Sequence, residues 1–288
     1  MIKSINSISK YFSLVKFSHT VFAMPFAMIG FALGITSGSN SFSFRTLILV
    51  ILCMVSARNA AMSFNRFADR KFDEQNLRTN KREIPSGVIS PRAALTFVIV
   101  NAVIFVISTY FINNLTFLLS PIALLTILGY SFTKRITALC HLILGLGLSL
   151  APIGAYIAVT GKFAIEPVIY SFLVLTWSSG FDIIYALQDD EFDRSINLYS
   201  IPAIAGRKNA LLISSGLHFI TFCFIITSGI ICKSGIMFWI GASLFSGLLL
   251  YQHLIVKTND LSKVNLAFGI TNGFASILFS AFTIIDLL

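Results

Sequence analysis

Long apolar stretches constrain this chain more than any other feature of its sequence. Nine can be found in the 288 residues, each near the ~20 apolar residues that a helix needs to cross a bilayer. Charged residues make up only 11% of the chain, against roughly 25% in soluble domains, which excludes a soluble globular enzyme. We therefore predict an all-α integral membrane protein, a single domain over 1–288, whose nine transmembrane helices form a bundle near 17–36, 44–66, 93–112, 115–133, 138–160, 165–187, 210–232, 235–256 and 264–287.

The segment before the first apolar stretch has a different pattern. Apolar residues recur there at helical spacing, with Lys3, Lys10 and Lys16 between them. Such a pattern is typical of a helix that lies in the membrane interface. We predict an interfacial amphipathic helix over residues 1–16.

Lysine and arginine are distributed unevenly between the two ends of the predicted spans. If the N-terminus lies inside, 17 of the 21 basic residues fall on the inner side, as the positive-inside rule requires. We therefore predict a cytoplasmic N-terminus. The net charge of +9 then reflects basic cytoplasmic loops, and it does not indicate a nucleic-acid partner.

Acidic residues at the inner end of the second span form the first chemical motif. Asn65, Asp69 and Asp73 are spaced by four residues, which places them on one face of a helix that continues from the span. Like charges at this spacing destabilise a helix by roughly 0.2–0.5 kcal/mol per pair, and a cation between them would reverse that effect. Carboxylate and amide oxygens suit Mg²⁺, which takes one or two carboxylates beside substrate phosphates.

The sixth span carries a second motif of the same spacing. Tyr185, Asp189 and Asp193 lie at its inner end. Two matched acidic faces at the same membrane depth predict two Mg²⁺ sites that share one diphosphate. The plainer alternative is that charged residues merely solvate the helix ends.

Basic residues at the same membrane face could hold the phosphate oxygens that metal leaves free. Arg78 and Arg82 follow the first motif, and Lys134 and Arg135 end the fourth span. The positive-inside rule alone could also account for them. We predict that these four residues bind the diphosphate.

Two charges lie deeper in the predicted spans. Arg58 precedes Asn65 by seven residues and Asp182 precedes Asp189 by seven, so each is ~10 Å deeper at 1.5 Å per residue. A charge at that depth is expensive and should face a cavity or a partner. We predict that Arg58 binds the polar group of an acceptor and that Asp182 orients a phenol or takes a ring proton. The alternative is an ion pair between Arg58 and Asp182 that only joins the two spans.

At this point the chain resembles a known family. The paired motifs and one loop are similar to those of the UbiA superfamily of intramembrane aromatic prenyltransferases, in the bacterial branch labelled 4-hydroxybenzoate polyprenyltransferase-like. The resemblance covers nearly the whole chain, and the residues that carry it are Asn65, Asp69 and Asp73, the stretch 185–193, the stretch 18–27, and the loop Arg78-Thr79-Asn80-Lys81-Arg82-Glu83-Ile84-Pro85-Ser86-Gly87.

The resemblance implies a helical bundle with a central cavity that opens sideways to lipid. It implies Mg²⁺ on the two aspartate motifs, a polyprenyl diphosphate donor and an aromatic acceptor such as 4-hydroxybenzoate, in ubiquinone or other quinone biosynthesis. Some members of that branch serve menaquinone synthesis by the futalosine route, so a precursor of that route is the alternative acceptor. We further expect Asn65 and Tyr185 to contact the acceptor, and we expect a bacterial inner-membrane enzyme with a cytoplasmic-side active site and no protein partner.

Two other classes of membrane protein have charged spans. A transporter would carry acids along a path at mid-depth and a pair of broken helices, whereas the acids here crowd one face. A CDP-alcohol phosphotransferase would carry a DGxxAR signature, which this sequence lacks. The prenyltransferase hypothesis therefore leads.

Overall fold

Helices form the whole of the regular structure that is described. The computed structural model describes residues 10–15, 22–38 and 41–288. Its helices are α1 (Met24–Thr36), α2 (Phe44–Gln75), α3 (Pro91–Ile112), α4 (Asn114–Thr133), α5 (Cys140–Thr160), α6 (Ile165–Ala186), α7 (Asp190–Ser195), α8 (Ile201–Ile231), α9 (Ile236–Ile255) and α10 (Asn272–Leu287). The predicted all-α class is confirmed.

Eight helical segments in the described part of the chain are long and apolar enough to cross a membrane. Helix α1 has 13 residues and is shorter, and part of the predicted stretch 17–36 lies outside the described residues. The prediction of nine spans and the predicted orientation therefore stay predictions. The predicted interfacial helix is described only at 10–15, where residues 10–14 are helical and the Tyr11 ring stacks on Phe97 with centroids 4.8 Å apart.

The helix starts follow from local capping chemistry. The hydroxyl of Ser90 accepts a hydrogen bond from the backbone N–H of Ala93 at 3.2 Å, and Pro91 occupies the first turn of α3. Asn113 caps α4 in the same way through Thr116 at 2.9 Å. Such caps satisfy backbone donors that have no partner inside the helix.

One helix begins earlier than hydropathy predicts. Helix α8 starts at Ile201, nine residues before the predicted 210, because charged residues at its start lower the local hydropathy. Gly206 interrupts it with φ 76° and ψ 163°, a backbone conformation that favours glycine. The resulting kink directs Arg207 towards Asp190, whose carboxylate accepts two hydrogen bonds from its guanidinium at 2.8 and 2.9 Å.

The helices pack in two groups around a shared cavity. Helices α2, α3 and α4 pack on one side, while α6, α8, α9 and α10 form the other. Helix α5 joins the groups through α4 and α6, and α1 lies between α5 and α10. An aromatic core in the second group, centred on Phe26, Trp177, Phe245 and Phe279, is fully buried and fixes α1 and α6 beside the cavity.

Close approach of α5 to α6 depends on one glycine. A Cβ on Gly145 would lie 2.3 Å from Ser179 Oγ and 2.6 Å from the backbone oxygen of Leu175. Gly154, on the same helix, has open space around it. We expect Gly145→Ala to destabilise the protein by about 1–3 kcal/mol through overpacking, and Gly154→Ala to leave it unchanged or more stable by about 0.5–1 kcal/mol. Thermal unfolding in the same detergent measures both, and equal melting temperatures would contradict this account of the contact.

Candidate active site

One large cavity lies among the helices. It has a volume of about 590 Å³ and is lined by side chains of α2, α3, α4, α5 and α6. Apolar residues line most of it, and charged residues gather at the end where α2 and α6 finish. Every site residue predicted from the sequence lines this cavity: Arg58, Asn65, Asp69, Asp73, Arg78, Arg82, Lys134, Arg135, Asp182, Tyr185, Asp189 and Asp193.

The first motif lies on one continuous helix, as its spacing predicts. Helix α2 runs through to Gln75. The Asn65 amide donates to Asp69 Oδ2 at 3.0 Å, and the Arg135 guanidinium donates to Asp69 Oδ1 at 3.1 Å. Asp73, one turn further on, accepts from Arg82 at 2.6 Å.

The second motif departs from a continuous helix. Helix α6 ends at Ala186, a 3₁₀ turn covers Leu187–Asp189, and α7 follows. The predicted regular spacing on one helix face is therefore wrong at this point. The turn brings Asp189 against Arg78, whose Nε donates to Oδ1 at 2.9 Å and whose Nη2 pairs with Oδ2.

Asp193 lies on the short helix beyond that turn. Its Oδ1 is 2.7 Å from Lys134 Nζ, and its Oδ2 accepts from the Ser200 hydroxyl at 3.0 Å. Ser200 was not predicted from the sequence, and neither was Asn76, which donates to Asp189 Oδ1 at 2.9 Å. Neither residue belongs to a spacing pattern, because each reaches its aspartate only through the fold.

The four motif aspartates and the four basic residues pair one to one. Each pair joins different segments of the chain or the two sides of a loop, and the pairs are Asp69–Arg135, Asp73–Arg82, Asp189–Arg78 and Asp193–Lys134. Partly buried ion pairs add little net stability, because desolvation offsets the attraction. Such pairs can therefore exchange partners cheaply if an anion and cations enter together.

Two of the four basic residues, Lys134 and Arg78, remain protonated despite their burial. Burial opposes the charge on Lys134, but the Asp193 carboxylate outweighs burial and raises the pKa of the Lys134 ammonium above its ordinary value. Burial is likewise outweighed at Arg78, where Asp189 raises the pKa of the guanidinium. Both groups therefore stay cationic at any physiological pH.

The donor set fits divalent cations that prefer hard oxygen ligands. The four aspartates and Asn65 line one end of the cavity, and among the described residues no hydrogen-bond partner reaches the buried Oδ2 of Asp73. Within the described residues, no three His, Cys, Asp or Glu side chains already form a metal cluster. Mg²⁺ needs only one or two carboxylates when phosphates complete its shell, so the aspartates fit that ion together with a diphosphate.

The two deep charges do not pair with each other. Asp182 Oδ2 lies 2.7 Å from His141 Nδ1, and the backbone N–H of Ile201 donates to His141 Nε2 at 3.3 Å. Arg58 has no carboxylate within 4.0 Å in the described part of the chain, and its Nε is buried without a hydrogen-bond partner. The alternative of an Arg58–Asp182 ion pair is therefore wrong.

His141 is the residue at this depth that the sequence analysis left unassigned. It lies 41 residues from Asp182, on the first turn of α5, so no spacing rule connects the two. Because Nε2 accepts from Ile201, Nδ1 carries the ring proton and donates it to Asp182. His141 thus fixes the orientation of the Asp182 carboxylate.

The helices that span the membrane surround a cavity that is charged at one end and apolar along its length. Such a fold and site define an integral membrane protein that binds a ligand with a charged head and an apolar tail. Comparison with known proteins gives the family. Residues 23–279 match the UbiA prenyltransferase family. The chain belongs to that family, and it is a prenyltransferase.

Curated relatives and solved structures agree with this assignment. The chain is 31% identical over 237 residues to a 4-hydroxybenzoate octaprenyltransferase of Aliivibrio fischeri, covering 82% of each chain. It is 29% identical over 233 residues to one of Francisella tularensis subsp. novicida, covering 81% of this chain and 82% of that one. A UbiA homologue from Aeropyrum pernix K1 superposes with TM-score 0.85 at 31% identity, over 94% of this chain and 98% of that chain.

A more distant structure shares the fold. A UbiA homologue from Archaeoglobus fulgidus, solved with GPP and Mg²⁺, superposes with TM-score 0.70 at 22% identity, over 96% of this chain and 99% of that chain. The transporter and phosphotransferase alternatives receive no support from any of these relatives.

Proposed function

We propose that this protein transfers a polyprenyl chain from a polyprenyl diphosphate to an aromatic acceptor such as 4-hydroxybenzoate, with Mg²⁺. The observation that carries the proposal is the large cavity, in which four aspartates face four basic residues at one end and apolar residues line most of the rest. The curated relatives, which are named 4-hydroxybenzoate octaprenyltransferases, favour this acceptor over a futalosine-route precursor.

The charged end of the cavity binds the diphosphate in this proposal. Asp69, Asp73, Asp189 and Asp193, with Asn65, hold Mg²⁺, which when bound neutralises charge on the leaving diphosphate. The four basic residues leave their aspartate partners and bind phosphate oxygens instead. The planar guanidinium of arginine can bind two such oxygens at once. The apolar length of the cavity holds the prenyl chain.

The acceptor lies deeper, near Arg58 and Asp182. The buried Nε of Arg58 has no hydrogen-bond partner among the described residues, and a guanidinium suits a carboxylate. Asn65 and Tyr185 contact the ring. The allylic C1–O bond breaks with its electron pair on the diphosphate oxygen, and a ring carbon forms a bond to C1. The ring then loses its proton, and Asp182, held by His141, orients the phenol or accepts that proton.

The topology completes the proposal. A ninth span would comprise α1 and the residues before it, with a cytoplasmic N-terminus in the bacterial inner membrane and one domain over 1–288. The distribution of 17 of the 21 basic residues on the inner side supports this orientation. Cysteine accessibility of Lys3→Cys from the two sides of sealed vesicles tests it.

A product assay tests the activity. Purified protein in nanodiscs receives labelled polyprenyl diphosphate, Mg²⁺ and either 4-hydroxybenzoate or a panel of other aromatic carboxylates. We expect a prenylated lipid product with 4-hydroxybenzoate and none after chelation of the metal. Diphosphate release without a lipid product from any acceptor would refute the transferase proposal.

Lys134 offers a test of the donor end. Its ammonium lies 2.7 Å from Asp193 and lines the cavity. We expect Lys134→Ala to raise the KM for the polyprenyl diphosphate by about 10-fold or more, since a charged hydrogen bond contributes about 1.5–3 kcal/mol, and to change the acceptor KM little. Lys208→Ala, which removes a lysine that does not line the cavity, is the control. If the KM for the polyprenyl diphosphate does not change, Lys134 does not bind the donor and contributes only to the orientation of the protein in the membrane.

A further inference from the structure

Arg66 is a buried cation for which neither the sequence motifs nor the ion pairs account. It is only 4% exposed, it lines the cavity, and its Nε has no hydrogen-bond partner within residues 10–15, 22–38 and 41–288. The four other basic residues at the charged end each pair with an aspartate, whereas no carboxylate in the described part of the chain lies within 4.0 Å of Arg66.

An unpaired guanidinium is costly in this position. Burying a charge without a partner costs several kcal/mol, and a charge inside a spanning helix usually faces a cavity or a functional partner. The positive-inside rule accounts for the side of the membrane on which Arg66 lies, but it does not account for the burial of the side chain. The anion that satisfies Arg66 should therefore come from a substrate.

The position of Arg66 indicates which substrate anion it contacts. Arg66 precedes Asp73 by seven residues on α2, so it lies on the same helix face ~10 Å deeper, and Arg58 lies ~12 Å deeper still. The charged groups that act on its guanidinium include Arg82 and Asp73, which belong to the diphosphate end, and Glu83 in the following loop. Arg66 thus lies between the groups that hold the diphosphate and the deep arginine assigned to the acceptor.

We propose that Arg66 donates hydrogen bonds to the membrane-facing oxygens of the diphosphate, where the bond to the allylic C1 breaks. The assignment rests on the proposed function. As the C1–O bond breaks, both electrons pass to the diphosphate oxygen, and Arg66 stabilises that charge without giving up its proton. Arg66 is then a catalytic residue whose effect is greatest on ionisation of the donor and small on acceptor binding.

The experiment separates ionisation from transfer. Arg66→Gln and Arg66→Lys are compared with Arg70→Gln, a matched change on the same helix, since Arg70 does not line the cavity and donates to the Phe67 carbonyl at 2.6 Å. Ionisation is measured without acceptor, by scrambling of ¹⁸O from the bridging to the non-bridging positions of labelled polyprenyl diphosphate. Binding of inorganic pyrophosphate with Mg²⁺ is measured by calorimetry.

We expect Arg66→Gln to slow both scrambling and transfer by about 10²–10³-fold, as loss of one donor to a developing oxyanion does, with weaker pyrophosphate binding and an acceptor KM within about 3-fold of wild type. Arg66→Lys should recover part of the rate, and Arg70→Gln should match wild type. If ¹⁸O scrambling by Arg66→Gln proceeds at the wild-type rate, the proposal is wrong. This holds whether the variant loses affinity for the acceptor or only thermal stability.

Failure of the proposed function gives a different result. In that case wild-type protein forms no prenylated product. Pyrophosphate binding that depends on Arg66 but not on Arg70 would then still support Arg66 as a diphosphate ligand. Pyrophosphate binding equal in wild type and Arg66→Gln would overturn the assignment in either case. Arg66→Lys keeps the charge and so supplies the test if Arg66→Gln does not fold.

Discussion

Replacing Asp69 or Asp189 by asparagine is expected to abolish measurable turnover while the protein remains folded. Each change removes one charged oxygen ligand from the end of the cavity where the diphosphate is proposed to bind. Loss of a single electrostatic contact to a developing oxyanion costs about 10²–10³ in kcat, and a weakened metal site adds to that loss. These are the largest effects expected from any conservative change in the chain.

The fold should tolerate these two changes because the amide keeps the shape of the side chain. Asp69 contacts Asn65 and Arg135, and the amide oxygen can still accept from either of them. Asp189 likewise retains an oxygen for Arg78 or Asn76. Removing one member of a well-buried pair can cost about 3–5 kcal/mol, but Asp69 and Asp189 line a cavity, so water can relieve part of that penalty.

The matched control is a neighbouring carboxylate that faces elsewhere. Asp190 is adjacent to Asp189 and is also buried, but it pairs with Arg207 and is not among the residues that line the cavity. Asp190→Asn should therefore retain activity, apart from any loss of stability that thermal unfolding reveals. The measurement is product formation at saturating Mg²⁺ and donor. Substantial turnover by Asp69→Asn or Asp189→Asn under those conditions would count against both the metal sites and the proposed diphosphate end.

Hydropathy and spacing predicted most of the framework, for a physical reason. A spanning helix must be apolar over its whole length, so the starts of α3 and α6 lie within two residues of their predicted positions. The same rule misplaced the start of α8, because the charges of Arg207 and Lys208 lower the hydropathy near its start. Helical periodicity likewise placed Asp69 and Asp73 on one face of α2, since both lie on one uninterrupted helix.

Contacts between segments distant in sequence could not be predicted in this way. Arg135 reaches Asp69 across 66 residues, and His141 reaches Asp182 across 41. Which cation faces which carboxylate depends on how the helices pack, and a single sequence contains no periodic signal for that. For the same reason, the sequence could not show that Asp182 contacts His141 and not Arg58.

Arg58→Gln is expected to raise the KM for the aromatic acceptor by about 10- to 150-fold, which corresponds to the 1.5–3 kcal/mol of a hydrogen bond to a charged group. Arg58 lies on α2 inside the membrane-spanning part of the helix and lines the cavity, and its buried Nε has no hydrogen-bond partner in the part of the chain that the structure describes. A planar guanidinium binds a carboxylate through two parallel hydrogen bonds, and glutamine keeps length without supplying the charge.

The hydrogen bond between His141 and Asp182 makes this prediction sharper. Because Asp182 contacts His141 and not Arg58, loss of Arg58 leaves no orphaned carboxylate, and the variant should keep its thermal stability. An Arg58→Gln/Asp182→Asn double variant should likewise show no recovery of activity over Arg58→Gln alone. Recovery in the double variant would restore the ion-pair hypothesis and remove Arg58 from the acceptor site.

Changing the acceptor instead of the protein provides the control for Arg58. If Arg58 binds the acceptor carboxylate, the methyl ester of 4-hydroxybenzoate should be a poor substrate for wild-type protein. Arg58→Gln should then not raise the KM for the ester further. The donor KM should stay constant throughout, since Arg58 lies ~22 Å along the helix axis from Asp73 at 1.5 Å per residue. Equal sensitivity of the acid and the ester to Arg58→Gln would mean that Arg58 shapes the cavity, and that the carboxylate binds elsewhere.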